Sequence, residues 1–392
     1  ADLNDNLLGF DYGLSILSVN ENSQDINHNL SNIRIEKSYN SGDIFISFLT
    51  KKSKQDNIDP VKKGSGFYIS TTNYISDWSI TSAYRSMKID VNDPAKKDNI
   101  SENFGNALDV QRSPTGYYLH TFRLLSRTSK EVDLNDEIGF EFQVSGPIND
   151  NNIFSLNLLK SSSSKRWFEN MNGDWTSTDN NIFPSNKDYS YPFEELYLEF
   201  SGYSKNGKIY YKTGIDFQND VFNVLSNGNE VKSFESTSSQ TFPLLVSYNK
   251  NSFWGYEFQF EFQRLKTGFK NTVISYVDGQ DDSSTFHSIL SEDYQKNQFI
   301  SLSIYYNQKW SLSLSSEATN SDESKFNNTT IENFDYSNSW NSVGLSYRFD
   351  SDDILQLFYG SMRGGLDCTN GVCRYIQAFE DGVRIDYTAN FN

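Results

Sequence analysis

The stretch Ile354-Leu-Gln-Leu-Phe-Tyr-Gly360, Ser361-Met-Arg-Gly-Gly-Leu-Asp-Cys-Thr-Asn-Gly-Val-Cys-Arg-Tyr375 and Gly382-Val-Arg-Ile-Asp-Tyr-Thr-Ala-Asn-Phe391 decides the fold. In its last run Val383, Ile385, Tyr387, Ala389 and Phe391 fall on one face, and Arg384, Asp386, Thr388 and Asn390 on the other. A period of two is that of a strand with one apolar and one polar face. The pattern is clearest upstream, where Trp254, Tyr256, Phe258, Phe260 and Phe262 alternate with Gly255, Glu257, Gln259, Glu261 and Gln263. Two carboxylates and five aromatics cannot share one environment. A lipid-facing row of Tyr256, Phe258, Phe260 and Phe262, backed by a wet lumen row of Glu257, Gln259, Glu261 and Gln263, satisfies both.

Composition supports this reading. The 392 residues exceed one ordinary soluble core but suit one large barrel. Net charge is −17 and mean hydropathy −0.62, and no run approaches the roughly 20 apolar residues of a spanning helix. The 24 Tyr, 30 Phe and 6 Trp, with little Met or Pro, favour strands over helices. The acidic balance argues against a nucleic-acid partner. Ala1-Asp-Leu-Asn shows no charged n-region or apolar h-region, which fits a removed signal peptide or a longer parent chain.

Taken in order, the chain alternates short turns with long polar connections. Short turns are expected at 40–42, 75–77, 147–152, 206–207, 249–252, 307–309 and 350–353. Asn206-Gly207 is the strongest hairpin dipeptide among them. Long loops are expected near 88–114, 160–192, 218–240, 267–297 and 316–339, with a protruding hairpin at Thr272 to Ser288. Short turns on one side and long loops on the other are the habit of membrane barrels. This parity holds only if His120 to Arg127 does not span, which makes that segment a natural plug. Glu257 and Glu261 would then need partners, and Arg123 and Arg127 are the expected ones. The count is roughly 16 spanning strands in one domain, residues 1–392, an all-β antiparallel up-and-down transmembrane barrel. Trp78, Trp254, Trp310 and Trp340 lie near predicted strand ends, where interfacial girdles form.

A chain ending on an alternating strand, one residue after an aromatic, looks like a bacterial outer-membrane β-barrel; Val383, Ile385, Tyr387 and Phe391 would be its closing strand. The segment Gly364-Gly-Leu-Asp-Cys-Thr-Asn-Gly-Val-Cys-Arg-Tyr375 resembles the end of the DUF6029 family of Bacteroidota outer-membrane proteins of unknown function. Lys63-Gly-Ser-Gly-Phe-Tyr-Ile-Ser-Thr-Thr-Asn-Tyr74 and His120-Thr-Phe-Arg-Leu-Leu125 look similar as well. The chain departs from the family in ending on Asn392, and family members extend further at the N-terminus, so a complete barrel could hold more strands. The resemblance implies the outer membrane of a Gram-negative bacterium and contact with outer-membrane lipids and lipopolysaccharide. It implies no activity.

Cys368 and Cys373 are the chain's two cysteines. They suit a disulfide stapling the loop 361–381 in an oxidising compartment. Arg374 and Tyr375 on that loop are candidates for docking a partner. C-x-x-C spacing is absent, as are Gly-x-Ser-x-Gly, His-Glu-x-x-His and a P-loop. His28, His120 and His287 sit in separate polar segments; His120 near Thr121, and His287 near Asp281 and Asp282, fit the rim site of an outer-membrane protease or acyl hydrolase only poorly. Asp278-Gly-Gln-Asp-Asp282 and Asn149-Asp-Asn-Asn152 do not match a calcium loop. No enzyme, cofactor or metal is therefore expected. The leading function is a structural or accessory subunit that binds other outer-membrane proteins or lipoproteins. The competitors are a porin-like, cation-preferring channel and a soluble all-β carbohydrate-binding protein.

Overall fold

The computed structural model describes residues 2–7, 9–21, 26–55, 58–88, 120–128, 130, 136–169, 175–178, 181–187, 190–227, 231–275, 284–320, 339–349, 353–369 and 372–389. The strands are β1 (Asp2–Leu7), β2 (Phe10–Glu21), β3 (Ile26–Tyr39), β4 (Gly42–Gln55), β5 (Ile58–Ile75), β6 (Trp78–Lys88), β7 (Glu137–Asn149) and β8 (Asn152–Ser162). A small hairpin follows, β9 (Arg166–Glu169) with β10 (Trp175–Thr178). The main sheet resumes with β11 (Phe193–Tyr203), β12 (Ile209–Asn227), β13 (Val231–Asn249), β14 (Trp254–Ser275), β15 (Ser284–Tyr306), β16 (Trp310–Thr319), β17 (Ser339–Arg348) and β18 (Ile354–Met362). A second small hairpin, β19 (Gly365–Thr369) with β20 (Val372–Ile376), precedes β21 (Phe379–Thr388). The described helix is α1 (Arg123–Arg127). Among the described residues no helix is long and apolar enough to cross a membrane.

Among the described residues seventeen strands form one antiparallel up-and-down sheet, each laddered to the next in the chain apart from the two small hairpins. Among the described residues its edges are β1, paired to β2, and β21, paired to β18. The strand beyond the expected number is β1. Its Asp2-Leu-Asn-Asp-Asn-Leu has little hydrophobic alternation, so the backbone ladder alone marks it. Gly9, with φ +73°, turns the chain into β2, a conformation that a Cβ would penalise.

Register fixes which residues share a face. Val246, Phe258, Leu302, Leu314, Val343, Tyr359 and Val383 are paired in succession from β13 to β21. This rung is apolar throughout and points outward; Phe258 and Val343 are about two-fifths exposed. The opposite face carries a second rung: Asn157, Tyr197, Asp216, Thr241, Gln263, Asn297 and Thr319, paired in succession from β8 to β16. All seven are buried, and six of them are strongly polar. A water-soluble sandwich would show the reverse, since buried positions are usually apolar. Polar groups inside and apolar groups outside are what a lipid solvent selects.

The short-turn ends carry an aromatic band. Trp254 packs on Tyr306 at 4.6 Å, Trp310 on Tyr347 at 4.4 Å, and Tyr347 on Phe349 at 4.8 Å. Trp78 lies on the same outer face, against Gly146. Trp340 departs from this expectation. It pairs with Glu317 on the inner face and is buried, because it is out of phase with Val343 and Leu345.

Two expected loops are extended strands. Residues 218–240 fall mostly in β12 and β13, and residues 267–297 mostly in β14 and β15. Within the latter Thr272 pairs with His287, so the expected hairpin is the tip of a longer one. β14 has 22 residues. At about 3.4 Å per residue that is far longer than a ~30 Å hydrocarbon core requires, even with tilt. The excess length matches the Ser- and Thr-rich composition of much of the far halves of β13 to β15, which needs no apolar face. The loop 160–192 holds β9 and β10 instead of being irregular throughout. Residues 89–119 and 321–338 lie outside the described residues.

The face assignment yields a direct check. Phe258→Arg places a cation in lipid and should cost about 2–4 kcal/mol near the midplane, whereas Gln259→Arg should cost little. Urea titration of liposome-folded protein measures both; equal losses would contradict the assigned faces.

Candidate functional site

The inner wall is crossed by the segment His120 to Thr128. His120, Phe122, Leu124, Leu125 and Ser126 are all buried. A helix of one turn leaves its first N–H groups without intrahelical acceptors, and Phe122 at its N-cap offers no side-chain oxygen. The wall supplies the missing acceptors. Glu261 of β14 accepts from the Arg123 N–H at 2.8 Å and from the Leu124 N–H at 2.7 Å. Gln263, two residues on, donates to the Leu124 carbonyl at 3.3 Å.

The next anchor is a rung in which carboxylates alternate with aromatics: Glu261, Phe299, Glu317 and Trp340 pair in succession across β14 to β17. Glu317 meets Arg123 at 3.1 Å, Arg127 at 2.9 Å and Arg363 at 3.3 Å. The Arg123 guanidinium also lies over Phe299, 5.2 Å from its centroid, and that of Arg363 over Trp340 at 5.2 Å. Charge and ring face thus hold the same groups, and both interactions strengthen out of water. Arg127 further donates to the carbonyls of Gly364 and Arg363 at 3.2 and 3.4 Å. Those residues lead into the β19–β20 hairpin. Gly360, at φ +126°, lets β18 bend just before it; a Cβ there would collide with the Asn341 carbonyl.

At the other end of the segment, His120 Nε2 lies 2.5 Å from Glu195 Oε1 of β11 and packs edge-on against Tyr197 at 4.6 Å. Tyr197 closes a small apolar cluster with Phe122 and Leu125, flanked by Leu245. Asp216 of β12 completes a group with His120 and Glu195. Their candidate donor atoms lie within 4.8 Å of one another, and all three residues are buried.

Sequence reasoning pointed to His120–Arg127 as an interior segment, and that is where the segment lies. The arginines' partner differs from the expected one. Glu257 sits nearer the short turn, where Ser247 and Tyr305 donate to it. Glu261 is taken up by backbone N–H groups, so the guanidinium groups go to Glu317. Gln259 donates to Glu261 at 2.6 Å. Outside, Tyr256 stacks between Tyr248 and Trp254, and Phe258, Phe260 and Phe262 share its face. Val383, Ile385 and Tyr387 also face outward and are well exposed on β21. Phe391 and the acidic stretch 278–282 lie outside the described residues, as do the side chains of His287, Arg374 and Tyr375. His28 is buried elsewhere on the wall, 2.9 Å from Ser53 Oγ. Asn149 makes turn hydrogen bonds to Asn151 and Asn152. Cys368 and Cys373 are direct backbone partners in the β19–β20 ladder, and their side chains lie outside the described ones.

Removing the Glu317 charge leaves three guanidinium groups around a neutral amide. Glu317→Gln should therefore cost about 3–5 kcal/mol, the usual loss on breaking a buried ion pair. Glu257→Gln, at a wetter position, should cost less than about 1 kcal/mol. Heat-modifiable gel migration against temperature reads both; equal stability of the two variants would contradict the anchoring role of Glu317.

Comparison with known proteins adds the following. No curated protein matches the chain. Among solved structures, the ferric-catecholate import receptor Fiu from E. coli K12 in its open form resembles it at 9% identity and a TM-score of 0.46, over 91% of this chain and 60% of that one. The closed form of that receptor aligns at 9% identity and a TM-score of 0.37, over 100% of this chain and 62% of that one. The chain thus spans less than two thirds of the receptor's length. From residue 3 to residue 391 it matches DUF6029, a family of unknown function, and it belongs to that family.

Proposed function

We propose that this protein is an outer-membrane barrel whose interior is closed by its own chain and whose role is to bind other envelope proteins. The observation that carries the reading is the anchoring of His120–Arg127 across β11 to β16 by Glu195, Glu261 and Glu317. An open diffusion pore needs hydrated wall charges; here the central carboxylates are consumed by an internal segment. The outward apolar rung and the aromatic band at the turns supply the lipid contact. Lipids and lipopolysaccharide are its surroundings, and the role is structural rather than catalytic.

The β19–β20 hairpin is the docking element in this reading. Its base is tied to the interior through Arg127, Arg363 and Glu317. A partner that moves the hairpin therefore pulls on the segment inside. Outer-membrane proteins and lipoproteins that present a complementary surface at the long-loop end are the candidate partners, and Arg374 and Tyr375 the candidate contacts.

Planar-bilayer recording and a native-detergent pulldown test this together. The wild-type protein should show no stable conductance and should retain a stoichiometric envelope partner. The Glu261→Gln/Glu317→Gln variant should flicker open. Stable, cation-selective conductance by the wild type, with no companion protein, would replace the accessory role with a channel.

A further inference from the structure

The cluster of His120, Glu195 and Asp216 goes beyond that role. Asp216 has no exposed surface, and among the described residues no hydrogen-bond donor reaches either of its carboxylate oxygens. The groups that face it are the Glu195 carboxyl and the His120 imidazole, with the donor atoms of all three within 4.8 Å of one another. Gln218 donates to Glu195 at 3.3 Å, so the second carboxylate has partial support and the first has none. Among the described residues Lys212, on the same strand as Asp216, pairs with Glu199 at 2.8 Å, and Arg123 of the interior segment pairs with Glu317. Two buried carboxylates side by side need either a proton or a cation between them.

We propose that His120, Glu195 and Asp216 bind one divalent transition-metal cation. One imidazole nitrogen and two carboxylate oxygens are a donor set suited to the zinc class; calcium and magnesium prefer oxygen alone. Two carboxylates, a neutral imidazole and a dication sum to zero charge, which removes the cost of burying the pair. Bond lengths of about 2.0–2.2 Å place tetrahedral ligands roughly 3.4 Å apart, inside the 4.8 Å that bounds the separations of the donor atoms here. Water would take the fourth position. The ligands come from separate parts of the fold: β11, β12 and the interior segment. The metal would therefore pin the start of that segment to the wall, as Glu261 and Glu317 pin its helix.

The test uses full-length protein folded in detergent, stripped with chelator and titrated with Zn2+. One equivalent should bind and raise the temperature of the heat-modifiable transition. Asp216→Asn and His120→Gln should each weaken binding by at least about 100-fold, more than the loss of an outer-shell partner. His28→Gln, on a buried histidine outside the cluster, should bind as the wild type does. Asp216→Asn is isosteric; if it does not fold, His120→Gln and Glu195→Gln carry the same test. No stoichiometric Zn2+ in the wild type would overturn the proposal and leave a proton-sharing carboxyl pair. Undiminished binding by Asp216→Asn and His120→Gln would overturn it as well, by placing the ion elsewhere.

Discussion

The structure depends on a carboxylate that has no water to face. Glu261 lies on the lumen side of β14 with no exposed surface, and a charge in that position needs donors. The chain provides them from a segment more than a hundred residues earlier, the N–H groups of Arg123 and Leu124. Once α1 is seated there, Arg123 and Arg127 are brought to Glu317, and Arg363 joins them from the other side. Each anchor compensates a group that would otherwise be costly to bury. Removing one partner therefore leaves a stranded charge rather than a merely absent contact.

The inside-out wall explains why such an arrangement forms. The apolar rung through Phe258, Leu302 and Leu314 faces outward, as a wall in a lipid solvent would, and such a wall does not need the interior as a hydrophobic core. It is free to be built from polar groups, provided that they are satisfied. The rung through Asn157, Asp216, Gln263 and Asn297 shows both outcomes. Gln263 and Asn297 bond along the row at 2.9 Å, whereas Asp216 and Asn157 are buried without such partners among the described residues. A polar interior with a few unmet groups has ligand-binding capacity.

Much of this was legible in the chain, for physical reasons. Alternation from Trp254 to Gln263 fixes a face because the pleat has a period of two. Parity of turns singled out His120–Arg127, since a spanning strand there would reverse every later connection. What escaped was of two kinds. Residues 218–240 and 267–297 carry many polar residues in both phases of the alternation, so strand and loop look alike in sequence; backbone pairing alone distinguishes them. Trp340 sits at a strand end, as a girdle residue would, but its phase relative to Val343 puts it inside. The meeting of His120 with Glu195 and Asp216 had no local signal at all, because it joins three elements distant in the chain.

The central claim is that the segment from Phe122 to Arg127 is pinned to the inner wall by Glu261 and Glu317. Amide hydrogen exchange on the folded protein measures this most directly, because the Arg123 and Leu124 amides donate to Glu261 rather than to water. The account predicts slow exchange at these two amides in the wild type and marked acceleration in Glu261→Gln. Exchange of both amides in seconds in the wild type, at the rate of an open loop, would contradict it.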